Sequence, residues 1–159
     1  MNTQKFTPLK ILNLSEKREI EKQLENQFGI QKIPGMLMQK GKERLFLFAG
    51  NLDSKDIKKL EEIIIIERIG IYFAKIVGEE IRLSIEGTQI IRDQIKKNIF
   101  ELEEENLNLW MSGQDLLLKT GKKGFLAIKY KEDFLGCGKA SEEKIGNFIP
   151  KNRRLKEKN

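Results

Sequence analysis

No histidine occurs among the 159 residues, and the only cysteine is Cys137. The first absence excludes imidazole-based Ser or Cys triads, zinc sites of the usual Cys and His type, and histidine acid-base chemistry. The second excludes an intramolecular disulfide. Cys137 stands between Gly136 and Gly138 with no activating base near it in sequence, so it is expected to be a small buried filler and not a nucleophile. Gly121, Lys122 and Lys123 lack the earlier glycine and the following Ser or Thr of a P-loop. Gly136 and Gly138 lack the third glycine and the helix of a dinucleotide fingerprint. No cofactor and no metal are therefore expected. The run Ile63 to Ile66 is too short to span a membrane. With no leader pattern either, the expectation is a cytoplasmic chain with no membrane partner. Only three prolines are present, and no Pro- or Ser-rich linker, repeat or low-complexity segment divides the chain.

What is present is charge. Charged residues make up 34% of the chain, with 30 basic against 24 acidic and a net charge of +6, while 39% apolar residues suffice for a core. A small positive balance fits either a polyanionic partner or a well-solvated surface, so the distribution of the charge has to decide. Lys119, Lys122, Lys123, Lys129 and Lys131 follow one another with no acid between them. The tail Lys151 to Lys158 sets three lysines and two arginines against Glu157 alone. Lysines also crowd loops and edge strands for solubility and to block edge pairing. Arg153 and Arg154, however, follow Pro150, which stiffens the exit, and guanidinium forks suit phosphate oxygens.

Between these two basic stretches lies a hairpin signal. Phe125, Ala127 and Lys129 alternate with Leu126, Ile128 and Tyr130; a turn at Lys131, Glu132 and Asp133 leads into Phe134 to Ala140. Gly136 and Gly138 sit inside the second arm, where they imply a bulge or barrel bend, or a place for nucleic-acid backbone to come close to Lys139, Lys151, Arg153 and Arg154.

Upstream, Met1 to Leu12 has no clear period and forms a leading arm. Ser15 is the expected N-cap of a helix with Ile20, Leu24 and Phe28 on one face, ended by Gly29. Gly35 to Gln39 and Arg44 to Ala49 make a hairpin through Gly41. Asp53 or Ser54 caps a second helix with Ile57, Leu60 and Ile64 on one stripe, and Ile69 to Val77 and Ile81 to Ile85 join at Gly78. That order predicts an α/β sandwich whose mostly antiparallel sheet is covered by helices on one side. Thr88 to Lys96 reads as a short helix before a boundary, after which Ile99 to Leu102 and the acidic run Glu103 to Glu105 precede Trp110, expected in a core or between the halves.

The runs FLGCGK and IGNFIPKNRR resemble the closing strands of a PUA domain, the small pseudo-barrel appended to pseudouridine synthases, archaeosine transglycosylases and the Nop/Sun family of RNA cytosine-C5 methyltransferases. LWMSGQDLLLK, from Leu109, resembles the helix, glycine and strand of the same domain, so the likeness covers about Lys97 onward. LSEKREIEKQLENQFG from Leu14 and ERLFLFAGNLDSKDIKKLEEII from Glu43 are similar in order to the pre-PUA domain of the Nip ribosome-biogenesis factors. The resemblance implies an α+β chain of two domains, a pre-PUA α/β sandwich at 1–96 and a PUA-type β pseudo-barrel at 97–159. It implies a non-catalytic RNA-binding protein of ribosome biogenesis or rRNA modification, because no Rossmann-type run and no proline-cysteine nucleophile of the methyltransferase core occurs here. The partners implied are rRNA or tRNA, together with an RNA-modification enzyme or ribosome-assembly factor. In such domains the glycine after the first helix, here Gly113, and the basic end of the barrel face RNA. The expected RNA-binding residues are Gly113, Lys119, Lys123, Lys129, Gly136, Lys139, Lys151, Arg153, Arg154 and Lys156, with Gly113 admitting phosphate to a peptide N–H. The alternative is a protein-interaction adaptor whose first half docks a methyltransferase or biogenesis factor.

Overall fold

The computed structural model describes residues 7–156. The first six residues of the leading arm, and Glu157 and Lys158 of the basic tail, lie outside the described residues. The rest of the arm is a strand, β1 (Leu9–Ile11), which pairs antiparallel with β2 (Met36–Lys40). Helix α1 (Leu14–Phe28) starts before the position that Ser15 implied. Asn13 is its cap: its side chain accepts the Glu16 N–H at 2.9 Å, and the Glu16 carboxylate accepts the Asn13 N–H at 2.9 Å. This reciprocal pair satisfies two of the unpaired donors at the helix start, which one serine hydroxyl at position 15 does not.

Strands β1, β2, β3 (Arg44–Phe48), β4 (Ile71–Val77) and β5 (Glu80–Leu83) follow one another in an antiparallel sheet. Leu45, Phe46 and Leu47 are all buried. A strand apolar at consecutive positions needs cover on both faces. On one face Leu45 and Leu47 pack with Ile20, Leu24 and Phe28 of α1. On the other, Phe46 and Met38 pack with Ile57 of α2 (Ser54–Ile63). Helices therefore lie on two sides of the sheet, not on one.

Helix α3 (Ile85–Ile90) also starts earlier than expected, because the Ser84 hydroxyl caps it by accepting the Gly87 N–H at 2.9 Å. Thr88 is not a helix start but a buried interior residue. A 3-10 turn, Arg92–Gln94, follows.

The second sheet runs β6 (Ile99–Glu101), β7 (Gly124–Tyr130), β8 (Asp133–Ala140), β9 (Ile145–Gly146), with β6 parallel to β7 and the other pairs antiparallel. Leu116 to Leu118, expected to be a strand, contributes only an isolated bridge from Leu116 to Ile145. Ala127 faces Cys137 and Lys129 faces Phe134, so Ile128 is opposed by both Leu135 and Gly136. Gly136 takes the left-handed conformation there, at φ +81°. This bulge bends β8 and curls the sheet into the half-barrel of a PUA-type fold. Trp110 of α4 (Glu104–Met111) fills the concave side with Leu126, Ile128, Ala140 and Ile145.

One apolar cluster continues from the first sheet into the second, joining Phe28, Phe73, Ile81 and Leu83 to Phe125, Ala127, Phe134 and Cys137. Polar contacts cross with it. The Gly136 N–H donates to the Thr88 hydroxyl at 3.1 Å, and the Phe125 N–H donates to the Glu80 carboxylate at 3.0 Å.

Candidate nucleic-acid interface

The C-terminal segment turns back across the end of α4. Asn147 holds the turn: its amide donates to the carbonyls of Trp110 at 2.7 Å and Gln114 at 3.0 Å, and its Oδ1 accepts the Ile149 N–H at 2.8 Å. The Asp115 carboxylate accepts the Asn147 N–H at 2.8 Å and Lys144 Nζ at 2.6 Å. These donors, the Lys144 side chain first and then the Asn147 peptide, hold the Asp115 carboxyl below its usual range. Further on, the Leu155 N–H donates to the Met111 carbonyl at 2.9 Å.

This return brings Gly113, Arg154 and Lys156 to one place, but not in the arrangement expected of a phosphate cradle. Gly113 has φ +90°, and its N–H is already given to the Trp110 carbonyl at 3.0 Å. A Cβ there would meet Arg154 Nε at 2.2 Å, so the arginine side chain lies across the glycine. Arg154 Nε donates in turn to the Ile149 carbonyl at 2.9 Å. The close approach that Gly113 permits is thus to the protein's own arginine. Lys156 stands exposed beside a shallow hollow of about 280 Å³ floored by Leu109, Ser112 and Leu155.

Arg153 goes elsewhere. It pairs with Glu86 of α3, so the two tail arginines engage different elements and do not form the single electrostatic unit that their adjacency implies. Burial opposes the Glu86 charge, but Arg153 and a backbone N–H outweigh it and keep the carboxyl below its usual range. Lys151 is exposed on the short 3-10 turn Lys151–Arg153.

Close to this pair, at the junction of the two sheets, cations and aromatic rings meet. The Arg82 guanidinium of β5 lies 4.4 Å from the centre of the Phe148 ring. Phe148 and Phe125 are tilted against each other at 5.8 Å, and Lys139 Nζ sits 5.1 Å from the Phe125 ring. Phe148 remains 39% exposed. A small cavity of about 70 Å³ opens between Arg82, Ser84, Glu86, Gly136, Phe148 and Pro150. Cys137 also borders it, but burial pushes its thiol up to about 12, which leaves no thiolate at neutral pH.

The remaining lysines are dispersed. Lys119 faces Glu143 at 3.9 Å and Lys123 faces Glu142 at 4.0 Å, all four side chains well exposed. A stripe without acids in sequence is therefore opposed by acids across the fold, and such loose pairs contribute little to stability. Lys129 lies 5.7 Å from the Phe134 ring, in an open hollow shared with Arg92 and Lys96. It is four residues along β7 from Phe125, about 13 Å at strand rise, and so belongs to a different end of the hairpin from Lys139.

Two residues of the junction, Arg82 and Phe148, were not singled out from sequence. The alternation Ile81, Arg82, Leu83 places Arg82 outward on a strand with two buried neighbours. Only the fold shows that this outward side meets Phe148 of the C-terminal segment.

A curled sheet of mixed pairing, closed at one side by α4 and the returning C-terminal segment, defines a PUA-type pseudo-barrel packed on an α/β sandwich. Residues 97–155 match the family model described as the methyltransferase RsmF PUA domain. The chain thus carries a PUA domain and resembles the C-terminal region of the Nop/Sun RNA methyltransferases. The ribosomal RNA small subunit methyltransferase F of Psychromonas ingrahamii is 29% identical over 132 residues, covering 79% of this chain. That alignment is longer than residues 97–155, so the likeness reaches into the first half. The chain spans about a quarter of that relative's length, 26%. No helix among the described residues is long and apolar enough to cross a membrane.

Proposed function

We propose that this chain binds RNA, in the modification of small-subunit rRNA, and that its contact surface is the junction between the sheets together with the C-terminal return. The observation that carries this reading is the exposed Phe148 ring under the Arg82 guanidinium, with Lys139 beside Phe125. An arginine seated over an aromatic ring offers a cation and a π surface together to an unpaired base, and the neighbouring Lys139 answers a phosphate beside it. Arg154 and Lys156, over the end of α4, extend the positive surface along the same C-terminal segment, with Lys151 between. Gly136 serves this surface indirectly, as the bulge that sets β8 against α3. The match to the PUA part of a methyltransferase family supports RNA as the partner, and likeness to a ribosomal RNA small subunit methyltransferase supports small-subunit rRNA as its kind.

The chain by itself catalyses no methyl transfer in this reading. The buried Cys137 thiol and the lack of histidine support that. Its role is to position RNA for a catalytic unit of the methyltransferase type.

The test is fluorescence anisotropy with fragments of small-subunit rRNA carrying unpaired loops. Phe148→Ala and Arg82→Ala should each weaken binding about 5- to 150-fold, the range of one lost base stack of about 1–3 kcal/mol. Undiminished affinity in both folded variants would remove the junction from the site.

A further inference from the structure

The outer face of the first sheet carries an open groove of about 1010 Å³ that the RNA reading leaves unused. Helix α2 covers only part of this face. It ends at Ile63, and the chain turns extended at Ile64, φ −135°, before returning to β4. Ile66 then tucks under the helix into the cluster of Ile57, Met38 and Phe46. Its predecessors do not: Ile63, Ile64 and Ile65 are 79%, 54% and 73% exposed. Ile64 and Ile65, with Leu52 and Leu60, give one side of the groove an aliphatic wall, and Phe48 and Tyr72 line it as well. A contiguous apolar patch of this kind marks an interaction surface.

The rim is basic. Lys40, Arg44 and Arg68 stand around it, against Glu67 as the one acid of the lining. Lys40 Nζ is held by the Glu67 backbone carbonyl. Neither Arg44 nor Arg68 has an ion-pair partner among the described residues. The residue opposite Arg44 on β4 is Lys75, another cation, which Glu43 already engages at 3.0 Å. Two free guanidinium groups beside an uncovered aliphatic wall call for a ligand that brings carboxylates and aliphatic side chains together.

We propose that this groove docks an acidic amphipathic helix of a partner protein, its apolar stripe on Leu60, Ile64 and Ile65 and its flanking carboxylates on Arg44 and Arg68. Of the other occupants, RNA would answer the arginines but leave the exposed Ile64 and Ile65 uncovered. The aromatic rings offer it little, since Phe46 is buried and stacks at a tilt on Tyr72 at 5.7 Å. A second copy would bury the isoleucines, but a two-fold contact sets the same basic rim against itself. Only a partner of opposite charge satisfies both halves of the lining. This inference stands apart from the RNA reading, since it uses another face and other residues.

The experiment uses the full chain and two fluorescent synthetic peptides with the same leucine stripe at helical spacing. One carries glutamates on the flanking positions and the other lysines. The glutamate peptide should bind at least tenfold more tightly. Ile64→Ser with Ile65→Ser, at exposed positions, should weaken it at least tenfold without lowering the melting temperature. Arg44→Glu with Arg68→Glu should reverse the preference between the peptides. Arg82→Ala with Lys139→Ala should leave peptide binding unchanged, which separates this surface from the RNA site. Equal binding of the two peptides would overturn the proposal. So would displacement of the glutamate peptide by an oligouridylate, which would assign the groove to RNA. Self-association in sedimentation equilibrium that the paired isoleucine variant abolishes would overturn it in favour of a second copy.

Discussion

At the scale of single residues, composition decided more than position. Absent histidine and a glycine-flanked Cys137 were enough to expect an inert thiol, and the fold shows the reason: the side chain is buried against β5 and its ionisation is driven up to about 12. Methylating a pyrimidine carbon needs a thiolate that adds to the ring. On the proposed non-catalytic reading, this 159-residue chain by itself, with small-subunit rRNA transcript and labelled methyl donor, should give no transfer above background. Transfer that Cys137→Ala abolishes would place an active site here. The glycines show where residue-level reading stops. A bulge was legible in the Gly136 and Gly138 pair, but the two have different reasons. Gly136 is required by its positive φ, whereas at Gly138 a Cβ would come within 2.7 Å of the Trp110 ring and 2.5 Å of Ile145 Cγ2. A contact made by residues from elsewhere in the chain leaves no local mark. The same holds for Gly113, whose neighbour Arg154 lies far along the sequence.

At the scale of elements, periodicity found the strands of both hairpins and the stripe of α1, because those patterns are set by burial of a face, but of the stripe expected on α2 Ile64 lies past the helix end and is exposed. Periodicity misplaced the starts of α1 and α3, where the cap decides, while Asp53 caps α2 as expected. Asn13 and Ser84 are ordinary loop residues in sequence, and only their bonds to Glu16 and Gly87 reveal them. The parallel pairing of β6 with β7 was not legible, since it joins segments separated by the whole of α4. Nor was the pin that holds the end of α4. Asp115 accepts from Lys144 and from the Asn147 peptide, and its carboxyl is held below the usual 3.8. A carboxyl whose folded pKa is lowered adds stability above its unfolded pKa, and that stability is lost as pH falls through the folded value. Asp115→Asn should therefore melt at a lower temperature than the wild type at pH 7, and the gap should narrow as pH drops below about 4. Melting curves from pH 7 to pH 2.5 test this; a constant gap would mean that the Asp115 charge plays no part in holding the turn.

At the scale of the whole molecule, the two halves share an apolar cluster, and the candidate site lies where they meet. This is why it was only half legible. Lys139 was expected on the RNA side from the hairpin it belongs to, whereas Arg82 comes from the other half and pairs with Phe148 only through the packing of one sheet on the other. The same packing opposes the basic stripes with acids distant in sequence: Lys119 and Lys123 face Glu143 and Glu142, and Arg153 faces Glu86. What counts for an anionic ligand is the charge left after such pairs are formed, and that distinction separates a contact lysine from a solvating one. The most direct measurement is the salt dependence of binding to a small-subunit rRNA fragment, compared between wild type, Arg82→Ala with Lys139→Ala, and Lys119→Ala with Lys123→Ala. Each phosphate contact contributes about 0.7 to 0.9 to the slope of log K against log salt concentration. The junction double variant should lose roughly 0.7 to 1.8 of slope, depending on whether one or both cations meet a phosphate, together with affinity, while the glutamate-paired double variant should keep nearly all of both. An unchanged slope in the folded junction variant, or an equal loss in the lysine pair, would contradict the account.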